Sequence, residues 1–238
     1  MQYGQQQYSG GGFAAQAGVE DRAGFLVKTY LHLVAAIFAF VFLEAFYFLT
    51  PIAQMFFEIV WRFGNLGWLL VMGGFIGVSY LASSWASRGA SRTMQYAGLG
   101  LYVVAESVIF IPLLAMAAMY DPSAIPTAGL VTLVLFGGLT GIVFLTRKDF
   151  SFMRGFLGVA ALGSLATIVA AMIFGFSLGV WFSGAMVILA GGYILYYTSN
   201  VMLHYRTDQY VAAALALFSS VALLFWYVLR IFMSSSRR

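Results

Sequence analysis

Hydrophobic side chains fall along this chain in seven long blocks, at roughly 29–50, 66–85, 94–120, 127–146, 155–175, 179–201 and 210–233. Short polar stretches separate them: Pro51 with Glu58 and Arg62, then "ASRGASRT", "YDPSAIP", "TRKDFSFMRG", "FGFS" and "HYRTDQ". A helix needs about 20 apolar residues to cross the hydrocarbon core of a bilayer. Only helices and closed barrels satisfy their backbone polar groups in lipid, and blocks this long and continuous read as helices. The pattern predicts an all-α integral membrane protein with seven transmembrane helices and no room for a separate soluble domain.

The ends differ from the middle. The first 19 residues are rich in Gln, Gly and Tyr and lack the basic start and apolar run of a signal peptide. Residues 1–24 are expected to form a disordered tail, with Tyr3 and Tyr8 as docking candidates. The membrane domain then covers 25–233, and 234–238 form a short polar tail.

Composition agrees with lipid as the main solvent. Of the 238 residues, 62% are hydrophobic and 8% charged, and mean hydropathy is +0.92. Soluble domains carry roughly 45–50% apolar and about 25% charged residues. Cysteine is absent, which excludes disulfides, thiolate metal sites and cysteine nucleophiles. The net charge of +4 fits basic loops of a membrane protein better than a nucleic-acid surface, and no nucleic-acid partner is expected.

Loop charge predicts orientation. Loops 2–3, 4–5 and 6–7 hold Arg88, Arg92, Arg147, Lys148, Arg154 and Arg206, whereas loops 1–2, 3–4 and 5–6 hold only Arg62. The first set and the N-terminus, with Arg22 and Lys28, are therefore expected on the cytoplasmic face of a cell (inner or plasma) membrane. Seven crossings leave Arg230, Arg237 and Arg238 outside, against the rule; the last segment is nonetheless expected to span. The pairs Gly73/Gly77 and Gly137/Gly141 are expected to let helices approach closely. Trp61, Trp68, Trp85 and Trp181 suit interfacial belts.

Two acids lie at membrane depth, Glu44 and Glu106. Glu106 stands at the middle of the uncharged stretch 93–120. Burying a charge there costs about 2.5–3.5 kcal/mol on insertion scales, so each acid is either protonated or turned toward protein or water. Pro112 removes a backbone donor and frees the carbonyl of Val108 near Glu106, which makes a cation or proton site and a protonated interhelical bond equally good readings. For Glu44 the protonated acid bonded to a neighbouring helix is favoured, since a small helix tilt brings it nearer an interface. Ser219 and Ser220 are expected to bond back to their own helix, and "YYTSN" to cap a helix or line a mouth. His32 and His204 sit near membrane edges on different segments, and the two lysines lie near segment ends, so no histidine metal cluster, buried Ser–His dyad or retinal lysine is expected. No phosphate-binding loop is present. Neither enzymatic function nor a cofactor is expected.

Several motifs carry a resemblance. "FGGLTGIVFLTRKDFSFMRGFL" (136–157), "ILYYTSN" (194–200), "DQYVAAALALFSSVALLFWYVLRIF" (208–232) and "ESVIFIPLL" (106–114) resemble signature stretches of the Bax inhibitor-1 family, also called the transmembrane Bax inhibitor motif family, over residues 25–233. The resemblance is to bacterial-type members. It implies a last helix central in the bundle, and roles in stress response and a pH-sensitive calcium leak. For bacterial members it also implies restraint of a membrane-bound AAA protease.

The family's leak is tied to two aspartates that share a proton. At those positions this chain has Tyr197 and Ser220, and Arg88 or Arg92 matches the arginine that latches the pair. Two carboxylates about 3 Å apart make a pH sensor because both do not ionise together; a tyrosine titrates near 10 and a serine not at all. The usual sensor is therefore expected to be missing, with Glu106 and Glu44 as replacement candidates. The expected function is a cation (calcium) leak or ion-homeostasis factor. The alternative is a non-conducting regulator of an AAA protease, contacted through the tail and through Arg147, Lys148, Arg206 and Asp208.

Overall fold

A computed structural model describes residues 12–86 and 91–235; Tyr3, Tyr8 and Arg88 lie outside them. The described chain forms α1 (Val19–Leu49), α2 (Ile52–Arg62), α3 (Gly64–Ala86), α4 (Arg92–Tyr120), α5 (Ala124–Thr146), α6 (Arg154–Phe174), α7 (Val180–Leu203) and α8 (Tyr210–Ser235). All but α2 are long and apolar enough to span a membrane, seven in number.

The boundaries have local causes. Ser91 caps α4 by accepting from the Met94 amide at 3.3 Å. Arg147 takes a left-handed conformation, φ 53°, at the end of α5, and Gly175 does the same, φ 73°, after α6, as helix C-termini commonly require. Pro51 starts α2 after the extended Thr50.

Three features depart from the sequence pattern. α1 begins at Val19, not near 29, because Glu20 and Asp21 in its first turn complement the helix dipole rather than breaking the helix. Residues 12–18, expected within a disordered tail, are tied down: Ala14 donates to the Tyr205 carbonyl at 2.8 Å, the Thr207 amide to Gly12 at 3.1 Å, and Ala14 is fully buried. The break after Pro51 contains α2, an amphipathic helix that lays Ala53, Phe56 and Phe57 over Tyr47 and Ile111 and leaves Glu58 exposed.

α8 is the innermost element. Over the most apolar stretch of each span, 67% of residues are buried in α8, 50% in α4 and at most 33% in the others. α7, α1, α5, α4 and α3 pack directly against it, while α6 leans on α7 and α3. The helix runs unbroken through 26 residues.

Aromatic contacts fix the register. His32 of α1 meets Tyr96 of α4 and Tyr210 of α8; further along, Phe40 meets Phe110 and Phe218, and Phe110 meets Phe225 and Trp226. The three helices therefore run parallel. α3 is antiparallel to α4, with Phe75 against Tyr102, and α7 antiparallel to α8, with Phe182 against Tyr227.

The loops carrying Arg92, Lys148 and Arg206 gather at one end, called here the basic end. There Arg92 bonds to Asp208, His204 to Asp149, and the Phe150 amide to Ser199 at 3.1 Å. α2 and Arg230 lie at the far end.

Close helix approach occurs at different glycines from those expected. A Cβ built on Gly73, Gly77, Gly137 or Gly141 meets nothing within 4 Å, so these pairs mediate no tight contact within the chain. At Gly98 it stands 2.6 Å from the Ala82 carbonyl oxygen and 2.9 Å from the Ala86 nitrogen, making that position the point where α3 and α4 touch.

Candidate functional site

A cavity of about 660 Å³ opens at the basic end between the second half of α3 and the α7–α8 corner. Hydroxyl and amide groups of Ser79, Ser83, Tyr102, Tyr197, Gln209 and Ser219 are set among tyrosine rings and the apolar side chains of Ala86, Ala212 and Leu215 in its walls. The Ser79 hydroxyl is buried and has no hydrogen-bond partner. A buried polar group of this kind is stable only where water or a ligand completes it.

Tyr102 forms the cavity's inner wall, lying beside Ser219 of α8 and Tyr197 of α7 on one side and Glu106 on the other. Glu106 follows it by one helical turn, on the same face of α4, and is 7% exposed. Its Oε2 is buried with no hydrogen-bond partner. One further turn along α4, Phe110 stacks on Phe225 at 5.7 Å between ring centroids and meets Trp226 edge-on at 4.9 Å.

Glu44 makes no hydrogen bond to a neighbouring helix. It is 6% exposed and belongs to the buried stripe of α1 that also holds Phe40 and Tyr47. The register of α1, α4 and α8 sets it about level with Glu106. Both carboxyl oxygens of Glu44 lack a partner, so the two acids form no hydrogen-bonded pair.

Tyr197 reaches the cavity, but Ser220 does not: it is buried and bonds to the Ala216 carbonyl at 2.8 Å. Ser219, bonded to the same carbonyl at 2.9 Å, is the serine that faces the cavity. The "YYTSN" stretch divides its tasks, with Tyr197 in the wall and Ser199 receiving the Phe150 amide.

At the mouth, Arg92 donates from Nη1 to the Asp208 carbonyl at 2.8 Å, and its guanidinium lies 4.8 Å from the centre of the Tyr210 ring. Asp208 also pairs with Arg206 at 3.4 Å. Arg147 and Lys148 stay exposed on the α5–α6 loop. Beside them Asp149 meets His204 at 2.9 Å. Partial desolvation pushes the Asp149 carboxyl up, but the Ser151 amide and hydroxyl together with His204 outweigh it and hold it below the usual range. Burial pushes the Tyr205 hydroxyl, on the α7–α8 loop, up to about 12, so it stays a neutral donor.

Tyr102 carries no expectation from the sequence, and Ser219, expected to bond back to its own helix, does so while also facing the cavity. Tyr102 was findable, since it precedes Glu106 by one turn. Choosing Ser219 over Ser220 required the rotation of α8.

A seven-span helical bundle whose most buried helix is α8, with a cavity at one end that stops at Tyr102, defines a polytopic membrane protein. The chain belongs to the Bax inhibitor-1 family: the family model described as inhibitor of apoptosis-promoting Bax1 matches residues 22–237. It is similar to Bax inhibitor 1 of Schizosaccharomyces pombe, 27% identical over 222 residues that make up 91% of this chain and 79% of the relative. It is also similar to an uncharacterized protein of Pseudomonas aeruginosa, 28% identical over 169 residues, 68% of this chain and 72% of the relative.

Proposed function

We propose that the protein is a gated cation leak, with calcium as the first ion to test, whose entry is the polar cavity and whose internal binding group is Glu106. The observation that carries this reading is the cavity's depth: the hydroxyls in its wall end at Tyr102, one turn short of an acid with an unsatisfied oxygen. Oxygen ligands suit hard cations, and an acid inside a membrane domain is a functional candidate by default. The Phe110–Phe225–Trp226 layer is the closed gate, and conduction requires it to part. The basic end faces the cytoplasm in this reading, in keeping with the Lys/Arg excess of its loops, and the membrane is the inner or plasma membrane.

The test is flux into reconstituted vesicles carrying a calcium dye. Wild type should leak and Glu106→Gln should leak severalfold less; equal flux removes Glu106 from the path. Regulation of a membrane-bound AAA protease is the second reading, favoured by exposed Arg147 and Lys148 beside the docked residues 12–18 at one end. Deleting residues 1–20 separates the two: lost protease pull-down with unchanged flux supports regulation.

A further inference from the structure

A second cavity, of about 630 Å³, lies at the far end, beyond the aromatic layer. It differs from the first in carrying a cation, Arg230, with larger apolar side chains in its wall beside Ser177, Ser183 and Ser234. Trp68 and Met72 of α3, Leu113 and Met116 of α4 and Trp226 of α8 make an apolar wall, and Arg230 of α8 stands in it. The size falls in the range of small-molecule pockets, about 300–1,000 Å³, and methionines adapt to flexible chains.

Arg230 is half-buried. Its Nη2 donates to the Leu178 carbonyl at 3.2 Å, and its guanidinium lies 5.9 Å from the centre of the Tyr227 ring. No acidic side chain lines the cavity, and among the described residues none pairs with Arg230. A cation in an apolar chamber is a poor vestibule for other cations. It is a good partner for a phosphate, whose oxygens match the guanidinium fork; with no acid in the lining, the ammonium of a zwitterionic headgroup would find no counter-charge there, which favours a headgroup of net negative charge. Its position also runs against the charge asymmetry of the chain, since most basic loop residues lie at the opposite end. Met116 and Val180, both on the cavity lining, are more than a third exposed on the bundle surface, so a chain from the surrounding leaflet has a lateral way in.

We propose that this cavity is a binding site for an anionic phospholipid of the leaflet at the far end, with one acyl chain among Trp68, Met116 and Trp226 and the phosphate on Arg230. The site does not rest on the leak reading, because its test reads binding and not flux.

The full chain, with Trp61, Trp85 and Trp181 changed to Phe, keeps Trp68 and Trp226 as reporters in the cavity wall. Reconstituted in neutral lipid, its fluorescence should be quenched severalfold more by a small fraction of bromine-labelled phosphatidylglycerol than by the same fraction of bromine-labelled phosphatidylcholine. Arg230→Gln should abolish the difference, and Arg230→Lys should keep part of it. Val71→Phe, which fills the cavity and leaves Arg230 in place, should reduce quenching by both lipids and guards against a folding artefact of the arginine variants. Equal quenching by the two lipids, a preference that survives Arg230→Gln, or a preference shown only by a bromine-labelled free fatty acid would each overturn the proposal.

Discussion

Arg92 on α4 and Asp208 before α8 are joined through the main chain: the guanidinium reaches the Asp208 carbonyl at 2.8 Å while covering the Tyr210 ring. Two elements far apart in sequence are thereby clamped at the rim of the polar cavity. Because the acceptor is a backbone oxygen, the clamp does not depend on the Asp208 carboxylate.

Arg92→Ala should therefore loosen the mouth, and Asp208→Asn should not. The loss in stability should be about 1–2 kcal/mol, one charge-assisted hydrogen bond and a cation–π contact. The chain has no cysteine, so a Gln209→Cys probe reports without background. Its reaction with a polar thiol reagent should speed up severalfold when Arg92→Ala is added.

Adjacent serines should behave differently. Ser219→Cys, in the cavity wall, should react readily with a small charged thiol reagent, whereas Ser220→Cys, about 100° further round α8 and buried, should be nearly inert. Equal rates would mean that α8 is rotated from the orientation described.

Glycine substitutions should change sign with position. Gly98→Ala should destabilise the bundle by about 1–3 kcal/mol, because the new methyl meets backbone atoms of Ala82 and Ala86 that have nowhere to move. Gly137→Ala, with open space around it, should stabilise α5 by about 0.5–1 kcal/mol through the backbone entropy removed from the unfolded chain. Thermal unfolding in detergent distinguishes the two.

The Asp149–His204 contact predicts a small acid sensitivity of the α5–α6 loop. The folded carboxyl is held below its unfolded value near 3.9. Its contribution is complete above that value and disappears as pH falls through the lower folded one. Both side chains are well exposed, so the effect should be modest. Asp149→Asn should flatten the dependence of the melting temperature on pH in the acid range and leave it unchanged near neutrality.

The spans were legible because hydrophobic length alone specifies them in lipid, and each long block became one helix. α2 was not, since Glu58 and Arg62 read as a break, although an amphipathic helix uses such charges on its outer face. The glycine pairs misled for a related reason: spacing of four puts two glycines on one face but does not say which face meets a neighbour. Gly98 has no such spacing motif and is the position of contact. Within the site, Glu106 stood out by chemistry, and Tyr197 only through the family resemblance. The burial of Glu44 followed from the register of α1 with α4 and α8, a relation between distant segments that no local pattern encodes.

The placement of α8 has a consequence for biogenesis. The element that five other helices enclose leaves the ribosome after all of them. Until it arrives, the earlier spans wait in the bilayer around an unfilled axis, with the partners of Phe40, Tyr102 and Phe110 still missing. Assembly of this bundle is therefore completed by α8, and without the segment from Tyr210 onward the other helices would form a ring without a hub.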